Sequence, residues 1–218
     1  MYVSESSTYT LSLIDTEIDR IVSHVEVGKI PQGLAITQSG NLLIAGILGT
    51  DSIVYVDTKQ NDVTVKFLLG KVTNVVLSSD NKIIYAGLSS PEQFAIAVIA
   101  VNTHTVLQMI PLQSAPKNLA LTPDGQFLYF TSEEGPIHIL NTKTNSLLPQ
   151  TISVPSPSHG IAVTHDGQWG LTTSLNERTV SLFDTKSNTV QYTIPVGKQS
   201  YGIAISKDNR FAYVSNET

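Results

Sequence analysis

The chain has 218 residues, of which 14% are charged, with a formal net charge of −5 and a pI near 5.4. A weakly charged acidic chain has no global positive field, so neither nucleic acid nor an anionic membrane surface is predicted as a partner. Cysteine is absent, which excludes disulfides and thiolate metal sites but fits either redox compartment. The longest apolar run, 94–101, is too short to span a bilayer, and no secretory signal peptide follows Met1.

A repeat of about 42 residues runs along the chain, and its clearest copy is 157–198. Each copy holds four short apolar alternations separated by turn residues, which is typical of a β-propeller blade, a four-stranded antiparallel sheet. The sequence therefore predicts an all-β fold and a single β-propeller domain over 1–218. The predicted blades are 30–71, 72–114, 115–156, 157–198, and a fifth formed by 199–218 together with 8–29.

The two ends of the chain leave two interpretations open. Joining 199–218 to 8–29 in one blade would close a five-bladed ring and remove open sheet edges. However, Tyr2-Val3-Ser4 repeats Tyr213-Val214-Ser215, so 1–7 supply one strand too many. The alternative is a fragment of a longer propeller, for example a seven-bladed one. The closed ring is favoured because an open arc would expose two apolar blade faces, and an incomplete propeller is expected to self-associate.

Two turn positions recur in every blade. The hairpin between the first and second strands carries Gly or Asn, residues that tolerate positive φ, at spacings of 41, 44, 42 and 42 residues. These residues are Gly40, Asn81, Gly125, Gly167 and Asn209. The third strand ends in a short acceptor side chain that can bond its own backbone and start a turn. These acceptors are Asp15, Asp57, Asn102, Asn141 and Asp184.

The first and fourth strands of each blade differ in pattern. An apolar triplet such as 161–163 opens each blade, and its small middle residue predicts an innermost strand that lines the core where space is scarce. In the fourth strand, for example 190–196, apolar and polar residues alternate. That alternation is typical of a half-exposed strand at the rim.

One polar or aromatic residue per blade precedes the Gly or Asn of the loop that leads into the first strand. In a four-stranded meander these loops share one face, so the five residues should surround the mouth of the central channel. Convergent polar groups over an apolar floor orient a small ligand. Nearby lysines add local positive potential for a carboxylate or phosphate, although ordinary solvated loop residues would show the same pattern. The candidate ligand-binding residues are Gln32, Thr73, Lys117, His159 and Tyr201.

Among the histidines, His159 alone is predicted at this mouth. Glu133 or Glu134 in the preceding blade, or Glu177 in its own, could orient it as a general base. No nucleophile converges with it in the predicted arrangement. The sequence contains no His pair at i, i+4, no EF-hand loop and no phosphate-binding glycine loop opening a helix. Neither a metal site nor a cofactor is therefore predicted.

Several segments carry a resemblance to a known family. Ala212-Tyr213-Val214-Ser215-Asn216 is similar to the tetrapeptide of the YVTN-repeat β-propellers, and 177–185, 197–205 and 123–125 are similar to their neighbouring motifs. The resemblance covers almost the whole chain. It implies a propeller, often of seven blades, that is often exported, which places the protein outside the cell, at its surface or in the periplasm. The family's functions are diverse, so the resemblance carries little chemistry.

Two functions follow as expectations. The first is a non-enzymatic binding or scaffold propeller that holds a small ligand, a glycan or a protein segment at the mouth of the channel. The alternative is a propeller lyase or lactonase-type enzyme that uses His159 with a loop glutamate. Streptogramin lyases are similar propellers whose site uses histidines, a glutamate and Mg²⁺, whereas this chain offers one histidine at the predicted mouth. Propeller lactonases use acidic and amide metal ligands, and the five candidate residues include no carboxylate.

Overall fold

The computed structural model of the chain describes residues 1–5, 7–90, 92–133 and 135–216. These ranges form β-strands and turns, with a single 3-10 turn at Leu48–Thr50 and no α-helix. No helix in the same ranges has the length and hydropathy needed to cross a membrane. The chain divides into two compact units, Met1–Pro111 and Leu112–Thr218, and each unit is described separately.

The first unit contains one three-stranded sheet and two four-stranded sheets. In each sheet the strands follow chain order and pair antiparallel. The three-stranded sheet consists of β1 (Tyr2–Glu5), β2 (Thr10–Asp15) and β3 (Arg20–Glu26). The four-stranded sheets are β4 (Pro31–Ile36), β5 (Leu42–Ile47), β6 (Ser52–Asp57), β7 (Asp62–Leu68), and β8 (Val72–Leu77), β9 (Ile83–Ser90), β10 (Gln93–Ala100), β11 (Thr105–Leu112).

The second unit repeats this architecture with two four-stranded sheets and one two-stranded sheet. The first sheet contains β12 (Pro116–Leu121), β13 (Phe127–Ser132), β14 (His138–Asn141) and β15 (Ser146–Leu147). The second contains β16 (Ser158–Val163), β17 (Trp169–Ser174), β18 (Thr179–Asp184) and β19 (Thr189–Pro195). The last sheet contains β20 (Ser200–Ile205) and β21 (Ala212–Asn216). The first strands β12, β16 and β20 lie side by side.

Both predicted turn positions are confirmed. All five Gly and Asn residues of the first hairpins have φ between 59° and 74°. At the end of the third strand, Asp57 Oδ1 accepts the backbone N–H of Lys59 at 2.8 Å, and Asp184 Oδ1 accepts that of Lys186 at 3.0 Å. These turns are local, so the residue types alone were sufficient to predict them.

The terminal strands pair differently from the predicted fifth blade. The predicted blade joined 8–29 to 199–218, but β2 pairs with β1, with Tyr2 opposite Leu13. β20 and β21 form their own two-stranded sheet. A short connection between sequence neighbours closes a hairpin at little entropic cost, which favours β1 at this edge of β2. The strand that looked superfluous in the sequence is thus part of a regular sheet.

Burial is deepest in the second and third strands of the sheets, so the prediction that the first strand lines the core holds only in part. Ile44 on β5 and Ile53 on β6 are fully buried, whereas Ile36 in the first strand β4 is 48% exposed. A middle strand has a neighbour along both edges, which leaves less of its surface open to solvent. The predicted exposure of the fourth strand is confirmed by Tyr192 on β19, which is 64% exposed.

Candidate functional site

The candidate residues of the second unit lie in β-bulges. The pairing of β12 with β13 shifts register between Pro116 and Leu119, so Lys117 falls inside the shift. Equivalent register shifts occur at the starts of β16 and β20, and they include His159 and Tyr201. A bulge re-aims side chains and is common beside functional sites. The Gly or Asn that follows each candidate residue was the available sequence signal for this irregularity.

Two threonine hydroxyls connect the bulges of neighbouring sheets. Thr131 Oγ1 accepts the backbone N–H of Asn118 at 3.2 Å and donates to the carbonyl of His159 at 2.7 Å. Thr173 Oγ1 likewise accepts from Gly160 at 2.9 Å and donates to the carbonyl of Tyr201 at 3.1 Å. Each threonine therefore joins the bulge of its own sheet to that of the next sheet. These two threonines were not among the residues predicted from the sequence.

His159 and Tyr201 are in direct contact. Their rings meet edge to face with centroids 5.1 Å apart. Nδ1 of His159 lies 3.3 Å from the carbonyl oxygen of Tyr201 and 3.3 Å from Nδ2 of Asn118. A carbonyl oxygen only accepts, so Nδ1 carries the proton when it bonds to Tyr201. The neutral ring then presents Nε2 as its hydrogen-bond acceptor.

The environment of His159 favours the neutral imidazole. Burial lowers its pKa below the ordinary value of 6.5, the bond to the Tyr201 carbonyl acts in the opposite direction, and the ammonium of Lys117 lowers the pKa again. Desolvation disfavours the charged form of a base, which accounts for the first effect. At neutral pH the site thus combines an uncharged imidazole with the positive charge of Lys117.

Lys117 is paired with Glu133. Its Nζ lies 3.3 Å from Oε1 of Glu133, whose side chain is 65% exposed, whereas the side chain of Lys117 is 33% exposed. Glu133 was predicted as an orienting group for His159, but in the structure it pairs with Lys117 instead. Glu177 donates its backbone N–H to Ser174 Oγ at 3.4 Å. The third predicted carboxylate, Glu134, lies outside the described residues.

The other two candidate residues belong to the first unit. Gln32 lies exposed in β4, within the register shift between Pro31 and Leu34. Thr73 lies at the start of β8 and donates its hydroxyl to the carbonyl of Gly87 at 3.2 Å. The structure therefore assembles three of the five residues, all in the second unit. A single ring that contains all five stays a prediction.

A cavity of about 510 Å³ lies among turns of the second unit, lined by residues that include Asp124, Asp166 and Lys186. The carboxylates of Asp124 and Asp166 stabilise the hairpin turns in which they lie. Asp124 Oδ1 accepts the Thr122 hydroxyl at 2.6 Å, and a bond of the same kind lowers the pKa of Asp166. In the described ranges, no three His, Asp or Glu side chains come together as metal ligands. We interpret these aspartates as turn-stabilising residues.

The buried imidazole makes the stability of the second unit depend on pH. The unfolded chain binds a proton near pH 6.5, whereas folded His159 binds one only at lower pH, so folding stability falls as pH decreases below about 6.5. We expect wild type to lose more stability than His159→Gln between about pH 8 and about pH 5. Urea unfolding followed by the fluorescence of Trp169, the single tryptophan, measures this difference.

His138 provides the internal reference for this measurement. Burial lowers its pKa as well, so it contributes a change of the same sign in both proteins. Asp124, Asp166 and Asp184 also have lowered pKa values, but their contribution is lost only near and below 3.8, outside the pH range compared. Equal pH dependence in wild type and His159→Gln would contradict a buried neutral imidazole at this position.

Comparisons with known proteins agree on the fold. No family model matches the chain. The "Seven-bladed beta-propeller protein Rv1057" of Mycobacterium tuberculosis (strain ATCC 25618 / H37Rv) is 32% identical over 121 residues, which is 53% of this chain and 31% of that protein. The chain thus matches about a third of the length of this curated relative.

Two solved structures are also similar. A functionally unknown protein from Desulfotomaculum acetoxidans DSM 771 has a TM-score of 0.89 at 15% identity, covering 99% of this chain and 72% of that chain. Kuenenia stuttgartiensis hydrazine synthase has a TM-score of 0.64 at 15% identity, covering 99% of this chain and 88% of that chain. At this identity the likeness concerns the fold alone. The chain is accordingly an all-β protein built from the four-stranded antiparallel sheets of a β-propeller.

Proposed function

We propose that the protein is a non-enzymatic binding propeller whose second unit holds a small polar ligand between Lys117, His159 and Tyr201. The observation that carries the proposal is that three neighbouring first strands present these side chains from equivalent bulges. Of the expected ligand classes, a small molecule with a carboxylate or phosphate suits the group best. Glycans and protein segments remain the other classes to be tested, and an exported location remains part of the proposal.

The three side chains have complementary roles in this proposal. The ammonium of Lys117 attracts the anionic group, and its partner Glu133 is exposed enough to move aside. In the tautomer whose Nδ1–H bonds the Tyr201 carbonyl, His159 accepts a hydrogen bond from a ligand hydroxyl at Nε2. The ring of Tyr201, 41% exposed, offers an aromatic face to a sugar or planar ligand. A few convergent polar groups of this kind give a ligand its orientation.

Titration calorimetry with a panel of glucuronate, citrate and inorganic phosphate tests the proposal. We expect one probe to bind, and Lys117→Ala to weaken its binding about tenfold or more because a charged hydrogen bond is lost. Lys82→Ala is the matched control, since Lys82 is also ion-paired, with Asp80 at 3.7 Å, but lies in a hairpin turn of the first unit. Binding that is unchanged in a Lys117, His159 and Tyr201 triple alanine variant would refute the proposed site.

The alternative is a lyase or lactonase-type enzyme with His159 as general base. The neutral imidazole, oriented through Nδ1, is the observation that favours it. A backbone carbonyl, and not a carboxylate, orients the imidazole ring. An acidic group would also have to be supplied by the substrate or by Glu177. Turnover of a lactone or lyase substrate that His159→Ala abolishes and Lys82→Ala leaves intact would favour the enzyme over the binding protein.

A further inference from the structure

An asparagine in the first hairpin of a sheet can bond to the first hairpin of the preceding sheet. Oδ1 of Asn81 accepts the backbone N–H of Gln38 at 3.2 Å in the first unit, and Oδ1 of Asn209 accepts that of His165 at 2.7 Å in the second. Gln38 and His165 hold the same position of the repeat, as do Asn81 and Asn209. The bond is therefore a repeated contact between consecutive sheets.

The two four-stranded sheets of the second unit cannot form this bond. Pro123 stands at the donor position and has no backbone N–H, and Gly167 stands at the acceptor position and has no side chain. A Cβ added at Gly167 would lie 3.5 Å from Cδ of Pro123, so any larger residue would contact the proline. The space that an asparagine side chain takes up in the other sheet pairs is thus left open between these two hairpins.

The cavity of about 510 Å³ lies at this point, with both Pro123 and Gly167 in its wall. Its volume is within the range of small-molecule pockets, about 300 to 1,000 Å³. The strand β12 carries Lys117 at its start and ends directly before Thr122, which also lines the cavity. At about 3.3 Å per residue, the cavity is roughly 16 Å from Lys117 along the strand, so it is a separate site.

One side of the cavity is apolar. Pro123, Phe127 and Tyr129 line it. Tyr129 is 1% exposed and donates its hydroxyl to Oδ1 of Asn188 at 2.8 Å, so this hydroxyl is already bonded within the protein. Carbon atoms of the proline and of the aromatic rings are therefore available to pack against the methylene groups of a ligand.

Two carboxylates in the wall can bind a cation without giving up their turns. Oδ1 of Asp124 accepts the Thr122 hydroxyl, and Oδ1 of Asp166 accepts the Thr164 hydroxyl, each at 2.6 Å. These bonds lower the pKa of both carboxyl groups, so both are negatively charged at neutral pH. Because the turn bonds end on Oδ1, Oδ2 of each aspartate can accept from a ligand.

Lys186 adds one positive charge to the same wall. Within the described part of the chain, no ion pair joins Lys186 to Asp124 or to Asp166. The three charges are therefore not neutralised by one another across the cavity. A complementary ligand carries two cationic groups and one anionic group, joined by an apolar chain that suits the opposite side of the cavity.

We propose that this cavity binds a basic amino acid such as lysine. The two ammonium groups of the ligand bond to Asp124 and Asp166, its carboxylate bonds to Lys186, and its methylene chain packs on Pro123 and Phe127. The one excess positive charge of the ligand offsets the one excess negative charge of the three wall groups. This inference does not depend on the ligand site proposed at Lys117.

Nuclear magnetic resonance titration of the ¹⁵N-labelled chain with L-lysine tests the proposal. We expect the backbone amide signal of Gln168, beside the cavity, to shift with a Kd of about 1 mM or lower. The signal of Tyr201, at the other end of the first strands, should stay in place. L-norleucine lacks the side-chain ammonium and cadaverine lacks the carboxylate, so each should bind about tenfold more weakly than lysine.

Two variants separate the shape of the cavity from its charge. Asn81 and Asn209 have φ of 59° and 60°, close to the 74° of Gly167, so Gly167→Asn should fold, fill the cavity and weaken lysine binding about tenfold or more. Asp166→Asn keeps an oxygen acceptor for the turn but removes one charge, so it should also weaken binding about tenfold.

Asp208→Asn is the matched control for the loss of charge. Oδ1 of Asp208 accepts the Ser206 hydroxyl at 2.6 Å in the equivalent turn of the next sheet, outside the cavity wall, so this variant should bind lysine as wild type does. Circular dichroism and Trp169 fluorescence verify that every variant is folded.

Four results would overturn the proposal. The first is an unchanged Gln168 signal up to about 20 mM lysine. The second is a shift at Tyr201 instead, which would place the amino acid at the other ligand site. The third is lysine binding that Gly167→Asn and Asp166→Asn leave intact. The fourth is norleucine or cadaverine binding as tightly as lysine, because the charges of the cavity wall would then not select the ligand.

Discussion

Replacing Gly160 by alanine is expected to destabilise the second unit by about 3 kcal/mol. A Cβ at this position would lie well inside 3.0 Å of the carbonyl oxygen of Tyr201, and 3.2 Å from the backbone nitrogen of Ile203. Backbone atoms cannot rotate away as a side chain can, so β16 and β20 would have to separate. The separation would also break the hydrogen bond from Thr173 to the Tyr201 carbonyl. Urea unfolding followed by Trp169 fluorescence measures the loss.

Gly202→Ala is the matched control for this prediction. Gly202 holds the same position in β20, but its added Cβ would meet only Ser215 Oγ at 3.0 Å. A hydroxyl at the end of a side chain can move, so we expect a loss of about 1 kcal/mol or less. The entropy that alanine removes from the unfolded chain is the same at both positions and cancels in the comparison. Equal destabilisation by the two substitutions would show that the close approach at Gly160 is not what matters.

Phe183→Ala is expected to lower the free energy of unfolding of this unit by about 4 kcal/mol. Phe183 is fully buried in the cluster between the two four-stranded sheets, and its ring lies 5.3 Å from that of Tyr129. On its other side the ring packs over Gly170, where any Cβ would clash with it. Glycine has no side chain to move into the space, so truncation leaves an unfilled cavity. The midpoint of urea unfolding reports the change.

Phe211→Ala provides the comparison for Phe183. Phe211 is 55% exposed, so its truncation removes little buried area and should cost less than about 1 kcal/mol. Both variants are measured at the same protein concentration as wild type. A small effect of Phe183→Ala would mean that the cluster collapses around the missing ring. A combined Phe183→Ala and Gly170→Ala protein that regains stability would identify the cavity as the cause of the loss.

The parts of the fold that depend on short stretches of chain were predictable. Positive φ at Gly40 or Asn81 follows from the residue type, and the turn that Asp57 starts involves a backbone N–H two residues away. The exposure of the fourth strand was predictable from its alternation of apolar and polar residues, as the exposed side chain of Tyr192 shows. Repetition strengthened each of these predictions, since the same local signal occurred five times along the sequence.

The candidate site was predictable in position but not in its contacts. Equivalence along the repeat placed Lys117, His159 and Tyr201 at the same point of three strands, and the structure brings the last two into contact. The pairing of Glu133 with Lys117 was not predictable, because residues of several loops were available as partners. The role of Thr173 was also missed, since a hydroxyl that joins two sheets has no distinctive sequence pattern.

The amino-acid sequence was enough to establish the repeat, the strand order within each four-stranded sheet and the residues at the head of each first strand. These properties follow from periodicity and turn chemistry, which act over a few residues. The partner of β2, the bond from Thr173 to the Tyr201 carbonyl and the contact between the rings of His159 and Tyr201 emerged only in three dimensions. Each depends on which distant segments pack together, and near-identical repeats such as Tyr2-Val3-Ser4 and Tyr213-Val214-Ser215 leave that choice to tertiary packing.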